Sequence, residues 1–241
     1  MNDCNKLRKR LSNRFEQALS EYRLIEDGDN ILIGLSGGKD SLFLTEMLAR
    51  RSRIHVPHFT VVAAHIRMSH IDYRVSTEYI DAFCRSLNVP IHILTTDFDA
   101  STDTRKRPCF LCSWYRRKLM FMLARKLGCN KVALGHHKDD IIHTAMLNLL
   151  FQGRFSTMPV RMKMDKMPLT IIRPLCLERE ADIRAYSEEA GYKKLLKSCP
   201  YENDGNRKYV SGVFNGIEAD NPEAANSVWH ALEQGGFLVS D

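Results

Sequence analysis

The feature that most constrains this chain is a join. The apolar run Ile31-Leu32-Ile33-Gly34-Leu35 passes directly into Ser36-Gly37-Gly38-Lys39-Asp40-Ser41, and that segment into the helical stretch Leu42–Leu48. A strand, a glycine-rich turn and a helix in immediate succession put the turn at a helix N-terminus. There the first backbone N–H groups lack intrahelical partners and the helix dipole is positive. Two glycines let the backbone wrap closely around anionic oxygens, and Lys39 adds a compensating charge. A Walker A loop is excluded: it needs the spacing G-x-x-x-x-G-K-[ST], whereas Gly34 and Gly38 stand one residue too close and Asp40 follows the lysine.

Further apolar, β-branched runs at 59–66, 91–95, 131–134 and 170–172 alternate with segments of helical period at 41–51, 74–87, 113–127, 139–151 and 178–190. Strands alternating with helices predict an α/β fold: an open, mainly parallel twisted sheet with helices on both faces. A second motif follows the same plan. Leu134-Gly135-His136-His137-Lys138-Asp139-Asp140 leaves one strand and opens the next helix, so both loops are expected at the carboxyl ends of strands, where ligands bind in such sheets. The adjacent His136 and His137 offer metal-ligand chemistry, but neighbouring side chains point apart. The segment 154–168, rich in Met, Lys and Arg and without clean periodicity, reads as a mobile basic loop. Three regions result: a basic helical extension (1–29), the nucleotide-binding unit (30–207) and an acidic C-terminal tail (208–241), with a last helix expected at 221–234.

Seven cysteines, an odd number in a chain of 241 residues, argue for reduced thiols or metal ligands rather than disulfide staples. Pro108-Cys109-Phe110-Leu111-Cys112 begins a helix, and a spacing of three sets both sulfurs on one side of its first turn, where thiolates are favoured. One C-x-x-C is compatible with a redox dithiol, half a zinc site or part of an iron–sulfur cluster. Cys199, in Lys197-Ser-Cys-Pro-Tyr201, adds a third thiol outside the regular elements. Cys4, Cys84, Cys129 and Cys176 read as thiols without a site role, three of them in or beside apolar stretches where buried free cysteine is common. Between Thr104 and Lys138 there are ten Lys or Arg and no Asp or Glu, whereas the chain beyond Lys208 carries five acidic residues and no Lys or Arg. The basic stretch flanks the C-x-x-C on both sides, which suits a polyanion such as RNA, with Arg105, Lys106, Arg107, Arg116 and Arg117 as candidate phosphate contacts. Trp114 and Tyr115 are candidates for base stacking, with a core position favoured for Trp114. The first ten residues have no apolar signal core and no later run is long enough to span a bilayer, so a cytoplasmic protein without a membrane partner is expected.

The Ser36–Ser41 hexapeptide resembles the signature of the PP-loop ATP pyrophosphatases, which split ATP between the α and β phosphates, and Gly135-His136 through Asp139-Asp140 is similar to that family's G-H-x-x-D-D element. The resemblance implies an adenine nucleotide alpha hydrolase-like, Rossmann-like fold. It implies ATP held by Ser36, Gly37, Gly38, Lys39, Ser41 and Gly135, adenine against the backbone at Ala64, and catalytic roles for Lys39, Asp40, Asp139 and Asp140, with the last two near Mg2+. Together with Cys109, Cys112 and Cys199, and with Ile172-Arg173-Pro174-Leu175, the chain from about 30 to 207 looks like the tRNA 2-thiocytidine synthetases. In that family three cysteines hold a [4Fe–4S] cluster, and sulfur replaces the C2 oxygen of a cytidine, expected at position 32 of the anticodon loop. Many relatives carry a second C-x-x-C at the late position, whereas Cys199 stands alone. The implied partners are tRNA, a sulfur donor such as a cysteine desulfurase, and a second copy in a homodimer. The other readings are a 2-thiouridine synthetase, a lysidine synthetase-like ligase, and a non-catalytic RNA-binding protein with nucleotide and metal sites.

Overall fold

The computed structural model describes residues 3–69, 72–73, 77–97, 108–193, 197–198 and 206–240, with the backbone alone for 3–4, 72–73, 108–109 and 197–198. In chain order the elements are α1 (Asp3–Glu21), β1 (Asp29–Gly34), α2 (Lys39–Arg51), β2 (Phe59–Met68), β3 (Asp72–Tyr73), α3 (Thr77–Ser86), β4 (Ile91–Thr96), α4 (Pro108–Lys126), β5 (Lys131–Ala133), α5 (Lys138–Gln152), β6 (Arg161–Lys163), β7 (Thr170–Ile172), α6 (Glu180–Glu189), β8 (Lys197–Ser198), α7 (Asn206–Asp220), α8 (Ala224–Gln234) and β9 (Val239–Ser240).

Seven strands form one sheet in the order β4-β2-β1-β5-β7-β6-β9. The first five run parallel, and β6 turns antiparallel to β7 while β9 runs parallel to β6. The predicted α/β sheet is thus observed, with an edge of opposite sense. The chain steps from β1 outward to β2 and β4, then crosses to β5 on the other side. That makes the carboxyl end of β1 the topological switch point, where the two halves of the sheet part and leave a crevice.

Three expectations need correction. The stretch 154–168 is not simply a loop: residues 161–163 form β6, whose hydrogen bonds to β7 come from the fold rather than from any alternation in Arg-Met-Lys. Val160 beside it is fully buried. The region 208–241 is not a tail. Val210 and Phe214 of α7 and Trp229 and Leu232 of α8 are buried, and β9 completes the sheet. The region 1–29 is likewise part of the same core, since Leu11, Phe15 and Ala18 of α1 pack in one cluster with Phe43 and Leu44 of α2 and Ile183 of α6. Each buried Leu or Phe of this kind contributes about 2–3 kcal/mol by burial alone, so neither terminal region is separable from the domain.

Two tethers fix the helices that carry the switch-point loops. Glu46, buried in α2, accepts from the Tyr186 hydroxyl of α6 (2.8 Å) and from the Tyr192 hydroxyl. Asn130 receives the Asn30 N–H on its side-chain carbonyl (2.9 Å), which aligns the start of β5 with β1. Among the described residues no helix is long and apolar enough to cross a membrane.

Candidate nucleotide and thiolation site

The Ser36–Ser41 loop leaves β1 and winds on its own hydroxyls. Ser41 Oγ accepts from the Gly37 N–H (3.1 Å) and from Ser36 Oγ–H (3.1 Å), and donates to the Gly38 carbonyl (2.9 Å). Gly37 has φ +87°, a left-handed conformation that costs a residue with a Cβ about 1–2 kcal/mol. Gly38 caps α2 with no side-chain hydrogen bond, so no side chain satisfies the first-turn N–H groups from within the cap. Lys39 folds back beside this turn, its ammonium 3.0 Å from Asp40 and 3.1 Å from Glu180. Burial works against that charge, but Asp40 and Glu180 outweigh it and the Lys39 pKa is raised.

The second loop comes from the neighbouring strand and presses against the first. A Cβ added to Gly135 would lie 3.1 Å from the Asp40 carbonyl carbon and oxygen and 3.2 Å from the Ser41 nitrogen. Gly135 is therefore the contact point of the two loops, a packing reason for its expected role. Beyond it, His137 caps α5 reciprocally with Asp140: the His137 ring accepts from the Asp140 N–H (3.4 Å), and Asp140 accepts from the His137 N–H (3.3 Å). Burial disfavours a charge on His137, but Asp139, Asp140 and Asp40 reverse this and raise its pKa. His136 shifts the other way, to about 4, through burial and the nearby Arg173. The two histidines thus sit in opposite electrostatic environments.

Asp139 departs from the expectation for a magnesium ligand. One oxygen is 2.8 Å from Arg179 Nε and the other accepts the Glu180 N–H at 2.7 Å, so the carboxylate caps α6. Despite burial, the bond from His137, the Glu180 N–H and Arg179 hold its pKa down at about 2. Asp40 and Asp140 are each about one quarter exposed. Arg179 in turn bonds both oxygens of Glu218 in α7 (2.7 and 3.0 Å), tying α5, α6 and α7 together. Arg173 of the Ile172–Leu175 motif is buried and donates to the Pro159 carbonyl, which anchors the segment before β6.

Ala64 is not at a strand end. β2 runs on to Met68, Ala64 pairs with both β1 and β4, and its carbonyl accepts the Leu35 N–H (2.9 Å). Peptide groups of a strand face its two neighbours alternately. Ala63 N–H donates to Pro90 on the β4 side. The next peptide group facing the β1 side is therefore that of Ile66, beyond the point where β1 stops. Sequence reasoning missed Ile66 because the apolar run gives no sign of how far β2 overshoots its neighbour. It also missed Glu180 and Arg179, for which the charged triplet Glu178-Arg179-Glu180 at a helix start was the available signal.

α4 starts at Pro108, so Cys109 is its second residue and Cys112 its fifth, one turn apart at the start of the helix, and Cys112 is half-buried. α4 packs on β2, β4 and β5, with its N-terminus toward the carboxyl edge of the sheet that carries the two loops. The Cys109 side chain and Cys199 lie outside the described residues, as do Arg105, Lys106 and Arg107. Ser198, next to Cys199, pairs with Asp72, which follows the carboxyl end of β2. The backbone thus carries Cys199's neighbour to the edge at which α4 begins. Arg116 and Arg117 are on α4, half-buried and exposed respectively. Trp114 is 43% exposed rather than a core residue, edge-on to Tyr115 at 4.9 Å and covered by the Lys118 ammonium at 5.1 Å. Cys84, Cys129 and Cys176 are buried, as the sequence suggested, and burial raises each thiol.

Residues 7–198 match the sequence profile of the PP-loop domain family. The tRNA-cytidine(32) 2-sulfurtransferase of Shewanella oneidensis is 32% identical over 234 residues, covering 95% of this chain and 75% of the relative. That of Geobacter sulfurreducens is 33% identical over 230 residues, covering 93% and 89%. Among solved structures, the U34-tRNA thiolase NcsA of Methanococcus maripaludis, with its [4Fe–4S] cluster, superposes with a TM-score of 0.80 at 23% identity, over 96% of this chain and 79% of that one.

Proposed function

We propose, from the premise that this chain belongs to the PP-loop family of tRNA-cytidine(32) 2-sulfurtransferases, that it is an ATP-dependent tRNA thiolase making 2-thiocytidine at position 32. The observation that carries the reading is the pair of loops that meet at the carboxyl end of β1. An uncapped helix N-terminus, a positive-φ glycine and a half-buried lysine stand on one side, and the Gly135 loop closes against them. That is a pyrophosphate cradle joined to an activating site.

ATP binds with its phosphates on the α2 N-terminus and its adenine edge against the peptide of Ile66 rather than Ala64. Lys39 exchanges Glu180 for phosphate oxygen. Asp40 and Asp140 are the carboxylates that would hold Mg2+: Asp139 is fixed by Arg179 and the Glu180 N–H, whereas the oxygens of Asp40 are paired with Lys39, a contact that phosphate can replace. The C2 oxygen of the cytidine attacks the α phosphorus, the α–β bond breaks and pyrophosphate leaves. Sulfur then forms a bond to C2, and the former C2 oxygen departs with AMP, whose low basicity makes it a better leaving group than oxide.

The donor set fits a [4Fe–4S] cluster in kind: two cysteines share one helical turn, and the β3–β8 pairing brings Ser198, the residue before Cys199, to the same edge of the sheet. Cys109, Cys112 and Cys199 would hold the cluster, which when bound supplies an iron site for the incoming sulfur. Arg116, Arg117 and the exposed Trp114 border that edge, and with Arg105, Lys106 and Arg107 they offer phosphate contacts and a stacking face to a single-stranded loop. A cysteine desulfurase is the expected sulfur source, and the cytoplasm the expected compartment. Nucleoside mass spectrometry of tRNA from a deletion strain tests the assignment: loss of 2-thiocytidine, restored by the wild-type chain and not by Cys112→Ala, is expected. Unchanged 2-thiocytidine with loss of another modified base would reassign the substrate.

A further inference from the structure

The outer face of α1 is basic, and it lies beside the nucleotide loops rather than apart from them. Lys6, Lys9, Arg10, Asn13, Arg14 and Gln17, three and four residues apart, line one open groove with four cations and no acid. All but Arg14 are exposed, while the opposite face of the helix buries Leu11, Phe15 and Ala18 in the core. The last turn of α1 carries no cation, so its charge is gathered toward the start, the reverse of what the helix dipole favours. Asp182 of α6 holds Arg14 at 2.7 Å and Arg10 at 2.5 Å, which fixes the inner end of the groove.

α6 gives the groove its direction. It starts at Glu180, 3.1 Å from Lys39, and Asp182 is close to that start, whereas Arg8 of α1 pairs at 2.9 Å with Glu189 at the other end of α6. The path along α1 from Arg14 to Lys6 therefore leads away from the phosphate loop. At the inner end stands Lys138, the first residue of α5 and the neighbour of Asp139. Its ammonium rests on the Asn226 side-chain oxygen at 2.8 Å and over the Trp229 ring at 5.5 Å, with no carboxylate partner among the described residues. Burial, Arg179 and Arg14 together lower its pKa. Cations are thus crowded from Lys6 to the second loop, and their mutual repulsion is relieved when a polyanion covers them.

We infer, on the tRNA reading proposed above, that this face of α1 is a second RNA surface, which takes the backbone of a tRNA stem while the loop with the target cytidine reaches the end of β1. Lys6 stands eight residues before Arg14, about 12 Å further along the helix. A base seated beside Lys39 leaves the phosphates of its neighbours near Arg14, so the outer part of the groove meets the helical part of the RNA. Paired RNA is held through its phosphates and its shape, which suits a groove of lysines and arginines with no aromatic ring among its lining residues. The face around Trp114 of α4, by contrast, offers a ring to an unpaired base.

The test is binding of the cluster-loaded full chain to a substrate tRNA and to a single-stranded oligonucleotide with the sequence of its anticodon loop, titrated over a range of salt. Lys6→Gln with Lys9→Gln keeps the Arg10 and Arg14 pairs with Asp182. The double variant should bind tRNA about tenfold more weakly at physiological salt, with the slope of log affinity against log salt reduced by about two, and bind the oligonucleotide within about twofold of wild type. Its KM should rise for tRNA and not for ATP. An unchanged tRNA affinity and salt slope overturns the proposal. So does a weaker affinity with the slope unchanged, which would mean a disturbed fold, or an equal loss on both RNAs, which would put the groove on the loop. A wild type that binds tRNA with the expected slope yet makes no 2-thiocytidine would contradict the function proposed above and leave this surface standing.

Discussion

In the Ser36–Ser41 loop the hydroxyls bond one another and the helix N–H groups are left without a side-chain cap, whereas in the Gly135–Asp140 loop most polar atoms are taken by neighbouring elements. Both are glycine-bearing turns at the ends of adjacent parallel strands, and both open a helix with acidic residues in its first turn. They differ in where the charge goes. Lys39 rests on two carboxylates that phosphate can replace, while Asp139 is fixed by Arg179 and the start of α6. One loop leaves its helix N–H groups without a side-chain cap, and the other packs against it at Gly135 and ties it through Asp139 to α6. A motif at the right edge of a sheet is therefore not evidence that each of its charged residues touches the substrate.

Substitutions can break this contrast. Lys39→Ala removes the charge aimed at the phosphates and should lower the rate of 2-thiocytidine formation by about 100-fold or more, with little change in melting temperature; steady-state thiolation and thermal unfolding measure both. Asp139→Asn should do the reverse in character. It leaves Arg179 with one carboxylate fewer in a largely buried site and should destabilise the fold by about 2–4 kcal/mol, seen in chemical denaturation. Asp140→Asn should cost activity without comparable loss of stability, and equal destabilisation by the two asparagines would erase the distinction drawn between them.

Smaller effects sharpen it. Glu180 is two-fifths exposed, so its pairing with Lys39 is worth roughly 0.2–1 kcal/mol. Glu180→Gln should thus lower the KM for ATP up to about fivefold with kcat unchanged, and a raised KM would mean that Glu180 helps rather than competes. Glu178, fully buried with Arg14 3.8 Å away, has its pKa pushed up to about 8 by burial. The fold favours its neutral form, so its contribution to stability is present below the ordinary value of 4.5 and is lost as pH rises toward 8. Glu178→Gln should accordingly melt higher than wild type at pH 8 and alike at pH 4; no difference at pH 8 would place the charge of Glu178 in a better-solvated setting.

The strands and helices around the switch point were legible because their signals are local: apolar runs, glycine turns and helix starts within a few residues. The phosphate loop was legible for the same reason, since its hydrogen bonds join residues at most five apart. What the sequence hid depends on distant partners. Asp139 is spent on an N–H group 41 residues further along, and Arg179 on a glutamate 39 residues beyond itself. β6 and β9 carry no periodic pattern of their own: β6 exists because β7 offers an edge, and β9 because β6 then offers the next. α7 was read as part of a tail because the chain beyond Lys208 is acidic and two glycines weaken the helical signal, although Val210 and Phe214 seat it in the core.

The account stands most directly on what becomes of ATP when a cytidine is thiolated. Purified, cluster-loaded protein should be incubated anaerobically with tRNA, sulfide, magnesium and ATP, and the nucleotides and nucleosides counted together. One AMP and one pyrophosphate for each 2-thiocytidine is the predicted result. ADP and phosphate, or AMP formed with lysine or no sulfur incorporated at C2, would contradict it.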